Sequence, residues 1–261
     1  MKNLILNLLL LFVCVVSNAQ LAGDLDTSFG TNGIVTTNIA VGAKTTIYSS
    51  AVQSDGKTVI VGSITFTNNK TAGFVKRINL DGTDDLSFAE QGTYISNFEN
   101  TFNIVKIKND GKIVIASEYT LTQFNSDGTL DNSFNAEGGV ANSFSSFYVQ
   151  SIGDFTIQPD GKIVVFLKIT YSVSSSALLR RYNIYGCIDT SFGTNGSASV
   201  PSSELYQSPA AILSESDGKL LVSFLITGYR SPIRQYKICR LNSNGLGVLA
   251  STIGDNDIYS M

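Results

Sequence analysis

The sequence predicts an all-β protein built from four copies of one supersecondary unit. The tripeptide Asp-Gly-Lys begins at Asp55, Asp110, Asp160 and Asp217, and each copy runs directly into an apolar stretch. The steps between the copies are 55, 50 and 57 residues, a spacing typical of repeat architectures. Val, Ile, Thr, Tyr and Phe are frequent and only 15% of the residues are charged, which favours a globular β protein over a disordered chain.

The Asp-Gly-Lys tripeptide, here called the glycine turn, predicts a hairpin because it lies between two apolar runs. Its third copy reads Gln158-Pro159-Asp160-Gly161. In a two-residue loop Pro159 would flank the turn, where it has no N–H to donate. We therefore predict, for all four copies, a type I turn followed by a glycine in the left-handed region as a bulge.

Two further motifs accompany the glycine turns. The phenylalanine motif is Asp-x-Ser-Phe-x-x-x-Gly, and the asparagine motif is Arg or Gln followed by x-Asn-x-x-Gly. The phenylalanine motif occupies residues 26–33, 85–92, 131–138 and 189–196, and the asparagine motif residues 77–82, 123–128, 181–186 and 240–245. No phenylalanine motif follows the fourth asparagine motif in this sequence.

The motifs divide each period into four predicted strands. Strand one approaches the glycine turn with mixed or alternating polarity, and strand two leaves it almost continuously apolar, as expected for burial on both faces. Strand three leads into the asparagine motif, and strand four follows the last glycine of the phenylalanine motif. The predicted strands are 46–53, 103–108, 149–158 and 206–215 (one), 58–61, 113–116, 163–166 and 220–224 (two), 73–79, 121–125, 177–183 and 235–242 (three), and 33–37, 92–98, 138–144 and 196–200 (four).

Four antiparallel strands in each period of about 50 residues are typical of a β-propeller blade. The sequence therefore predicts a β-propeller of about four four-stranded blades over residues 20–261. A parallel β-helix and a β-sandwich are the alternatives, but neither requires a hairpin turn at a fixed place in a fourfold repeat. Residues 33–37 could complete the last blade and close the ring, a role for which residues 248–253 compete. The chain could instead be an arc of a larger propeller, or half of one that a homodimer completes.

The motifs resemble those of a known family. Asp-Gly-Lys-Ile-Val, Arg-x-Asn-x-Asp-Gly and Leu-Asp-x-Ser-Phe-Gly-x-x-Gly together look like the delta-60 repeat family, over roughly residues 23–245. The resemblance implies a β-propeller domain with no settled activity. It also implies a bacterial extracellular or cell-surface protein, commonly from Bacteroidetes-like organisms.

Residues 1–19 are typical of a secretory signal peptide. Lys2 supplies the positive charge, the apolar run extends over Leu4–Val16, and small residues precede a cleavage site before Gln20. An uncleaved anchor is the alternative, but the apolar run is short for a membrane span. We expect a secreted, extracellular or cell-surface protein with no membrane span after cleavage.

The composition restricts the available chemistry. There is no histidine, which excludes a Ser-His-Asp triad, a Cys-His pair and a His-ligated metal. The net charge is −3 and no basic block occurs, so no nucleic acid partner is expected. After cleavage the cysteines are Cys187 and Cys239, which could pair or remain separate thiols. Catalysis by two carboxylates, as in many glycosidases, stays open.

The repeated polar residues each have two interpretations. The motif aspartates could supply oxygen ligands for calcium, or accept hydrogen bonds from nearby turn N–H groups, which we favour because the calcium-loop glutamate and spacing are missing. Arg77, Arg181 and Arg240 could bind an anion, or form ion pairs and carbonyl contacts between blades, which we favour. Phenylalanines of the motif are expected to pack between blades. The residues concerned are Asp26, Asp81, Asp85, Asp127, Asp131 and Asp189, and Phe29, Phe88, Phe134 and Phe192.

The connections between strands two and three vary from copy to copy, and variable loops on a rigid scaffold are where binding usually resides. In a four-stranded meander they lie on the side opposite the glycine turns. The candidate ligand-binding residues are Tyr229, Arg230 and Arg234, followed by Asn68, Asn69 and Lys70.

Three functions are compatible with these features. The first is a non-enzymatic binding or scaffold module with an unknown protein or glycan ligand and no cofactor. The second is a polysaccharide-active enzyme that uses paired carboxylates. The third is a structural segment of a larger surface assembly.

Overall fold

In the part of the chain that the computed structural model describes, sixteen β-strands form four consecutive antiparallel units. The structure describes residues 23–37, 39–40, 43–97, 100–135, 139–141, 148–200, 206–227 and 234–253, with side chains outside 139–141 and 248–253. The first blade is β1 (Lys44–Val52), β2 (Thr58–Thr65), β3 (Thr71–Ile78) and β4 (Thr93–Ile95); the second is β5 (Ile104–Ile107), β6 (Ile113–Ala116), β7 (Thr120–Phe124) and β8 (Gly139–Ala141). The third is β9 (Val149–Ile157), β10 (Ile163–Thr170), β11 (Ser175–Tyr182) and β12 (Ser197–Ser199); the fourth is β13 (Tyr206–Ser214), β14 (Leu220–Thr227), β15 (Arg234–Leu241) and β16 (Val248–Ile253). The predicted all-β propeller architecture of four four-stranded blades is confirmed.

The glycine turns have the predicted conformation. In the third copy the Gly161 N–H donates to the Gln158 carbonyl at 2.9 Å, and the Gln158 N–H donates to the Lys162 carbonyl at 2.8 Å. Pro159 and Asp160 are therefore the central residues, and the glycine follows at φ 80°. The glycines of the other three turns have φ between 81° and 85°, a region in which a side chain with a Cβ is strained.

Strand one carries a β-bulge that the sequence did not reveal. Tyr48 in β1, Gly153 in β9 and Ala210 in β13 each lie at the register shift against the second strand, at equivalent positions of their blades. A bulge bends a strand and increases its twist. At Gly153 a Cβ atom would lie 2.6 Å from the Cβ of Pro209 in the next blade, so this bulge brings two inner strands into close approach.

The blades pack face to face around their first strands. β1 contacts β5, β5 contacts β9, and β9 contacts β13, so the first strand of each blade is the innermost one. An apolar core lies between each pair of neighbouring blades, and each contains one buried phenylalanine of a phenylalanine motif: Phe88, Phe134 and Phe192. All three are 0% exposed, which confirms that they pack between blades.

The N-terminal segment covers the outer side of the first blade. Phe29 and Val35 pack there against a cluster that includes Phe74, and the Gly30 N–H donates to the Asp81 carbonyl at 2.8 Å. The hypothesis that residues 33–37 complete the last blade is therefore wrong. β16 takes that place, pairing with β15 from Leu241↔Val248 onward. It follows β15 through a short turn, so this pairing closes only a small loop.

Strand contacts run in order from the first blade to the fourth, and among the described strands none of similar extent returns from the fourth blade to the first. The third and fourth blades are joined through one parallel bridge, Ser175↔Tyr206. No helix in the described ranges is long and apolar enough to span a membrane.

Replacing Phe88 with alanine should lower the free energy of unfolding by about 3–5 kcal/mol, because it removes a fully buried ring and leaves a cavity between two blades. Urea unfolding at neutral pH measures this change. Leu86, two residues away and 68% exposed, provides the control, and its replacement with alanine should change the free energy of unfolding by less than about 0.5 kcal/mol. Equal losses in both variants would contradict the inter-blade role of the ring.

Candidate functional site

In the first three blades, the aspartate of the phenylalanine motif is the centre of a polar cluster. Asp85 Oδ1 accepts hydrogen bonds from the Ser87 N–H at 3.1 Å and from the Ser87 hydroxyl at 2.6 Å. Its Oδ2 accepts from Lys57 Nζ and from Arg77 Nε, each at 2.7 Å. The cluster thus joins the glycine turn, the third strand and the phenylalanine motif of one blade on a single side, here called the turn face.

The same cluster recurs in the next two blades. Asp131 Oδ2 accepts from Lys112 Nζ and Gln123 Nε2, each at 2.7 Å. Asp189 Oδ2 lies 2.9 Å from Arg181 Nε and 3.1 Å from Lys162 Nζ. The turn-acceptor interpretation of the motif aspartates is confirmed, because each accepts the N–H of the residue two positions on; they are Asp26, Asp81, Asp85, Asp127, Asp131 and Asp189.

These contacts keep the carboxylates charged. Burial would raise the pKa of Asp189, but hydrogen bonds from Ser191 and Lys162 and the charge of Arg181 outweigh it and lower the pKa to about 2. Burial likewise opposes ionisation at Asp85 and Asp131, and hydrogen bonds from the glycine-turn lysine and the motif serine hold both pKa values well below the ordinary range. A carboxylate in this state is a fixed anion near neutral pH, not a proton donor.

The third-strand arginines also contact the neighbouring blade. Arg77 Nη1 donates to the Ser126 carbonyl at 2.6 Å, and Arg181 Nη1 donates to the Ser243 carbonyl at 2.7 Å. Each guanidinium lies 4.7 Å from the ring centre of its own motif phenylalanine. For these two arginines the predicted ion pairs and inter-blade carbonyl contacts are confirmed.

In the second blade, a glutamine and a cationic residue are interchanged between two positions that contact each other in the first blade. In the first blade Gln53 Oε1 accepts from Arg77 Nη1 at 3.1 Å. At the equivalent positions of the second blade, Lys108 Nζ donates to Gln123 Oε1 at 3.3 Å. The cation has moved from strand three to the end of strand one, and burial lowers the pKa of Lys108. Sequence comparison of the copies shows the substitution but not that the two positions touch.

Clefts among the described residues lie on the turn face, between neighbouring blades. A cleft of about 430 Å³ between the third and fourth blades is lined by Arg181, Lys162 and Asp217, among others. An equivalent cleft of about 420 Å³ between the first and second blades is lined by Arg77, Asp55 and Asp127. Their walls are the recurring turns, so these clefts follow from the repeat itself.

Of the predicted ligand residues, Asn68, Asn69, Lys70 and Arg234 lie on the opposite side, here called the loop face. Asn68, Asn69 and Lys70 form the exposed β2–β3 turn, in which the Lys70 N–H donates to Asn68 Oδ1 at 3.0 Å and Asn69 has φ 63°. Arg234 is exposed at the start of β15 in the fourth blade, and no described contact joins it to the β2–β3 turn. Tyr229 and Arg230 lie outside the described residues.

A non-repeated carboxylate, which sequence reasoning missed, links three inner strands. Asp154 in β9 accepts from Lys106 Nζ of the second blade at 3.2 Å and from the Ile212 N–H of the fourth blade at 2.9 Å. Its own following N–H, at Phe155, also donates to it. The signal available in the sequence was that no other copy of strand one has an aspartate at this position. In the structure, Asp154 connects the inner strands of three blades.

The acidic and cysteine side chains of the described residues do not form a group of three or more that could hold a metal ion. Cys187 is exposed and Cys239 is buried, and both are free thiols.

Replacing Asp189 with asparagine should lower stability at pH 7 by about 1–2 kcal/mol and leave the Arg181 guanidinium without its carboxylate. Because the folded-state pKa of Asp189 is depressed to about 2, its contribution is present above the unfolded-state value and is lost as the pH falls through about 4 to 2. Urea midpoints measured from pH 7 to pH 2 should therefore converge for the two proteins. A stability gap of constant size across that range would contradict the ion-pair assignment.

The model of the family described as "Domain of unknown function (DUF5122) beta-propeller" matches residues 53–88 and 108–134. A search of the curated proteins finds no match. Among solved structures, a protein of unknown function from Bacteroides caccae is 12% identical, with 70% of each chain covered and a TM-score of 0.37. A gluconolactonase from Xanthomonas campestris, XC5397, is 14% identical, with 79% of this chain and 61% of that chain covered and a TM-score of 0.42.

Neither structural likeness carries an argument about activity at these TM-scores. The family match falls on the glycine turns, the asparagine motifs and the phenylalanine motifs of the first two blades. These are the residues that build the polar clusters and the inter-blade contacts. The delta-60 resemblance is confirmed over these residues, where the chain is similar to the DUF5122 β-propeller family.

Proposed function

We propose that this protein is a secreted or cell-surface β-propeller that binds or scaffolds a protein or glycan ligand and carries out no catalysis. The observation behind this proposal is that the charged side chains of the repeated motifs are already engaged in contacts within the protein. The motif carboxylates and their lysine and arginine partners are used within and between blades. Sequence variation is left to the loop face, where recognition can change without loss of the scaffold.

The competing function, a polysaccharide-active enzyme with two carboxylates, requires a general acid whose pKa is raised. Every described aspartate with a shifted pKa shifts downward. The non-repeated Asp154 is engaged with Lys106 and the Ile212 N–H. These features favour binding over turnover.

The location of the protein is part of the proposal and rests on the pattern of residues 1–19. Expression of the whole sequence in a bacterium with a general secretion system should release a protein whose first residue is Gln20. Intact mass and N-terminal peptide mass of the exported protein measure this. A protein retained in the cell membrane with Lys2 still present would contradict secretion and support an uncleaved anchor.

The loop face should carry the ligand contacts. The exported protein is applied to a glycan array that includes acidic polysaccharides, and the same glycans are screened for hydrolysis. We expect saturable binding without turnover, weakened about tenfold or more when Asn68, Asn69 and Lys70 are replaced by Gly-Gly-Ser or when Arg234 is replaced by alanine.

The matched control for these variants is Ser54→Ala, an exposed substitution on the turn face that should leave binding unchanged. Two results would overturn the proposal. One is hydrolysis that disappears when Asp154 is replaced by asparagine. The other is binding that is lost on the turn face and kept in both loop-face variants.

A further inference from the structure

The second blade contains a buried lysine, Lys108, whose described hydrogen bonds include none to a carboxylate. Lys108 follows β5 directly and is 7% exposed, and its Nζ donates to Gln123 Oε1 at 3.3 Å. Among the described residues Lys76 is also a buried lysine, but its Nζ lies 2.7 Å from Asp84 Oδ2. Taking an ammonium group out of water without a paired carboxylate is costly. Lys108 therefore occupies a site that satisfies its charge poorly.

The equivalent positions of the first blade hold a better satisfied pair. There the Arg77 guanidinium donates to Asp85 Oδ2, to Gln53 Oε1 and to the Ser126 carbonyl, at 2.6–3.1 Å. An arginine keeps its proton inside a protein, whereas a buried lysine can lose one and become a nucleophilic amine. The interchange in the second blade thus replaces an inert cation with Lys108, a group that can react.

The charged groups around Lys108 do not reverse the effect of its burial. Burial has the largest influence on the pKa of this lysine and lowers it, while Asp110 and Asp131 oppose the shift and Lys112 adds to it. At a given pH the neutral amine is therefore more populated at Lys108 than at an exposed lysine. The neutral amine is the form that attacks a carbonyl carbon.

The carboxamide of Gln123 is held beside this amine in one orientation. Its Nε2 donates to Asp131 Oδ2 at 2.7 Å, and its Oε1 faces Lys108 Nζ. Gln123 is 1% exposed and Asp131 is 5% exposed, so water has little access to the carboxamide. The amine thus lies against the carbonyl group of a side chain that its neighbour keeps in place.

We infer that the protein forms an amide cross-link between the side chains of Lys108 and Gln123 without a cofactor. Nζ of the neutral amine attacks the carboxamide carbon Cδ, and one proton passes from Nζ to Nε2 in the tetrahedral intermediate. The Cδ–Nε2 bond then breaks and ammonia leaves. Ammonia takes up the proton that the lysine gave to solvent when it became neutral. One ammonium ion is released for each amide bond formed, so atoms and charge balance.

Asp131 and the adjoining cleft suit this step. The leaving nitrogen becomes cationic in the intermediate, and the carboxylate 2.7 Å away stabilises that charge while remaining ionised. Contact between the two reacting side chains replaces a bimolecular encounter. A cleft of about 290 Å³ between the second and third blades is lined by Lys108, Lys112 and Asp110, among others, and gives ammonia a path to solvent.

The cross-link would reinforce the shortest blade. β5 and β6 have four residues each, whereas the first two strands of every other blade have eight or nine. The inner strands of the second blade therefore share the fewest backbone hydrogen bonds. An amide bond from Lys108 to Gln123 ties the end of strand one to strand three, and it removes a charge that is costly to bury.

Tryptic peptide mapping of the exported, folded protein tests the cross-link. Trypsin does not cut after a lysine whose Nζ is acylated, so we expect residues 107–112 joined to residues 113–162. The joined peptide should be lighter than the sum of its two parts by one ammonia molecule. The peptide is needed because Gln20 at a new N-terminus can also lose ammonia by cyclisation. Cleavage after Lys108 and an unmodified Gln123 in protein held folded at pH 9 would overturn the inference.

The matched control is the double variant Lys108→Gln with Gln123→Arg, which recreates the Gln53 and Arg77 pair of the first blade without a nucleophilic amine. It should fold and give linear peptides only. Joined peptides from this region of the double variant would show that other side chains react, which also overturns the inference.

A second variant, Asp131→Asn, removes the anion and keeps the shape of the side chain. It should form the cross-link about 100-fold more slowly, because the leaving nitrogen loses its stabilising charge. The joined peptide is quantified at fixed times after pulse labelling, in the fraction that elutes as folded protein from gel filtration. Formation at the wild-type rate would overturn the part assigned to the carboxylate.

Discussion

The buried carboxylate of the phenylalanine motif is the interaction on which each complete blade depends. One oxygen shapes its own turn through the serine two residues on, and the other receives a lysine from the glycine turn and a donor from strand three. Three segments far apart in sequence thus meet at one charge. Removing a buried ionic partner leaves an uncompensated charge behind, so the cluster is stable as a unit and costly to break in part.

Local chemistry explains why the strands and turns were predictable. A glycine at positive φ after Asp, and an apolar run after that, act over a few residues and repeat four times. The packing role of Phe88 was predictable for the same reason, since a large apolar residue in a recurring loop has few other places to go.

Features that depend on long-range geometry were not predictable. The Lys57–Asp85 pair spans 28 residues, and nothing in the spacing of two solvated-looking motifs indicates that they touch. The bulge at Gly153 leaves the apolar pattern of β9 almost unchanged. Nothing in the sequence distinguishes Asp154 from other single aspartates, because its partners Lys106 and the Ile212 N–H lie in the inner strands of two other blades. Residues 33–37 and 248–253 are both compatible in sequence with completing the last blade, because sequence cannot say which neighbour a strand covers. For the candidate ligand residues, the sequence indicates the side of the molecule on which they lie. It cannot indicate whether the candidates of the first blade lie near those of the fourth blade.

The contacts between neighbouring blades are made by a motif that belongs to one blade and packs against the next. Each phenylalanine motif is covalently part of one blade and packs on the next, so within the first three blades a stretch of one period contains one glycine-turn lysine, one strand-three donor, one carboxylate and one ring wherever in the period it starts. An in-frame duplication or deletion of a single period would therefore regenerate the repeated contacts at the new junction, although not the non-repeated tie at Asp154. Gene rearrangement can lengthen or shorten such an array without the invention of a new interface.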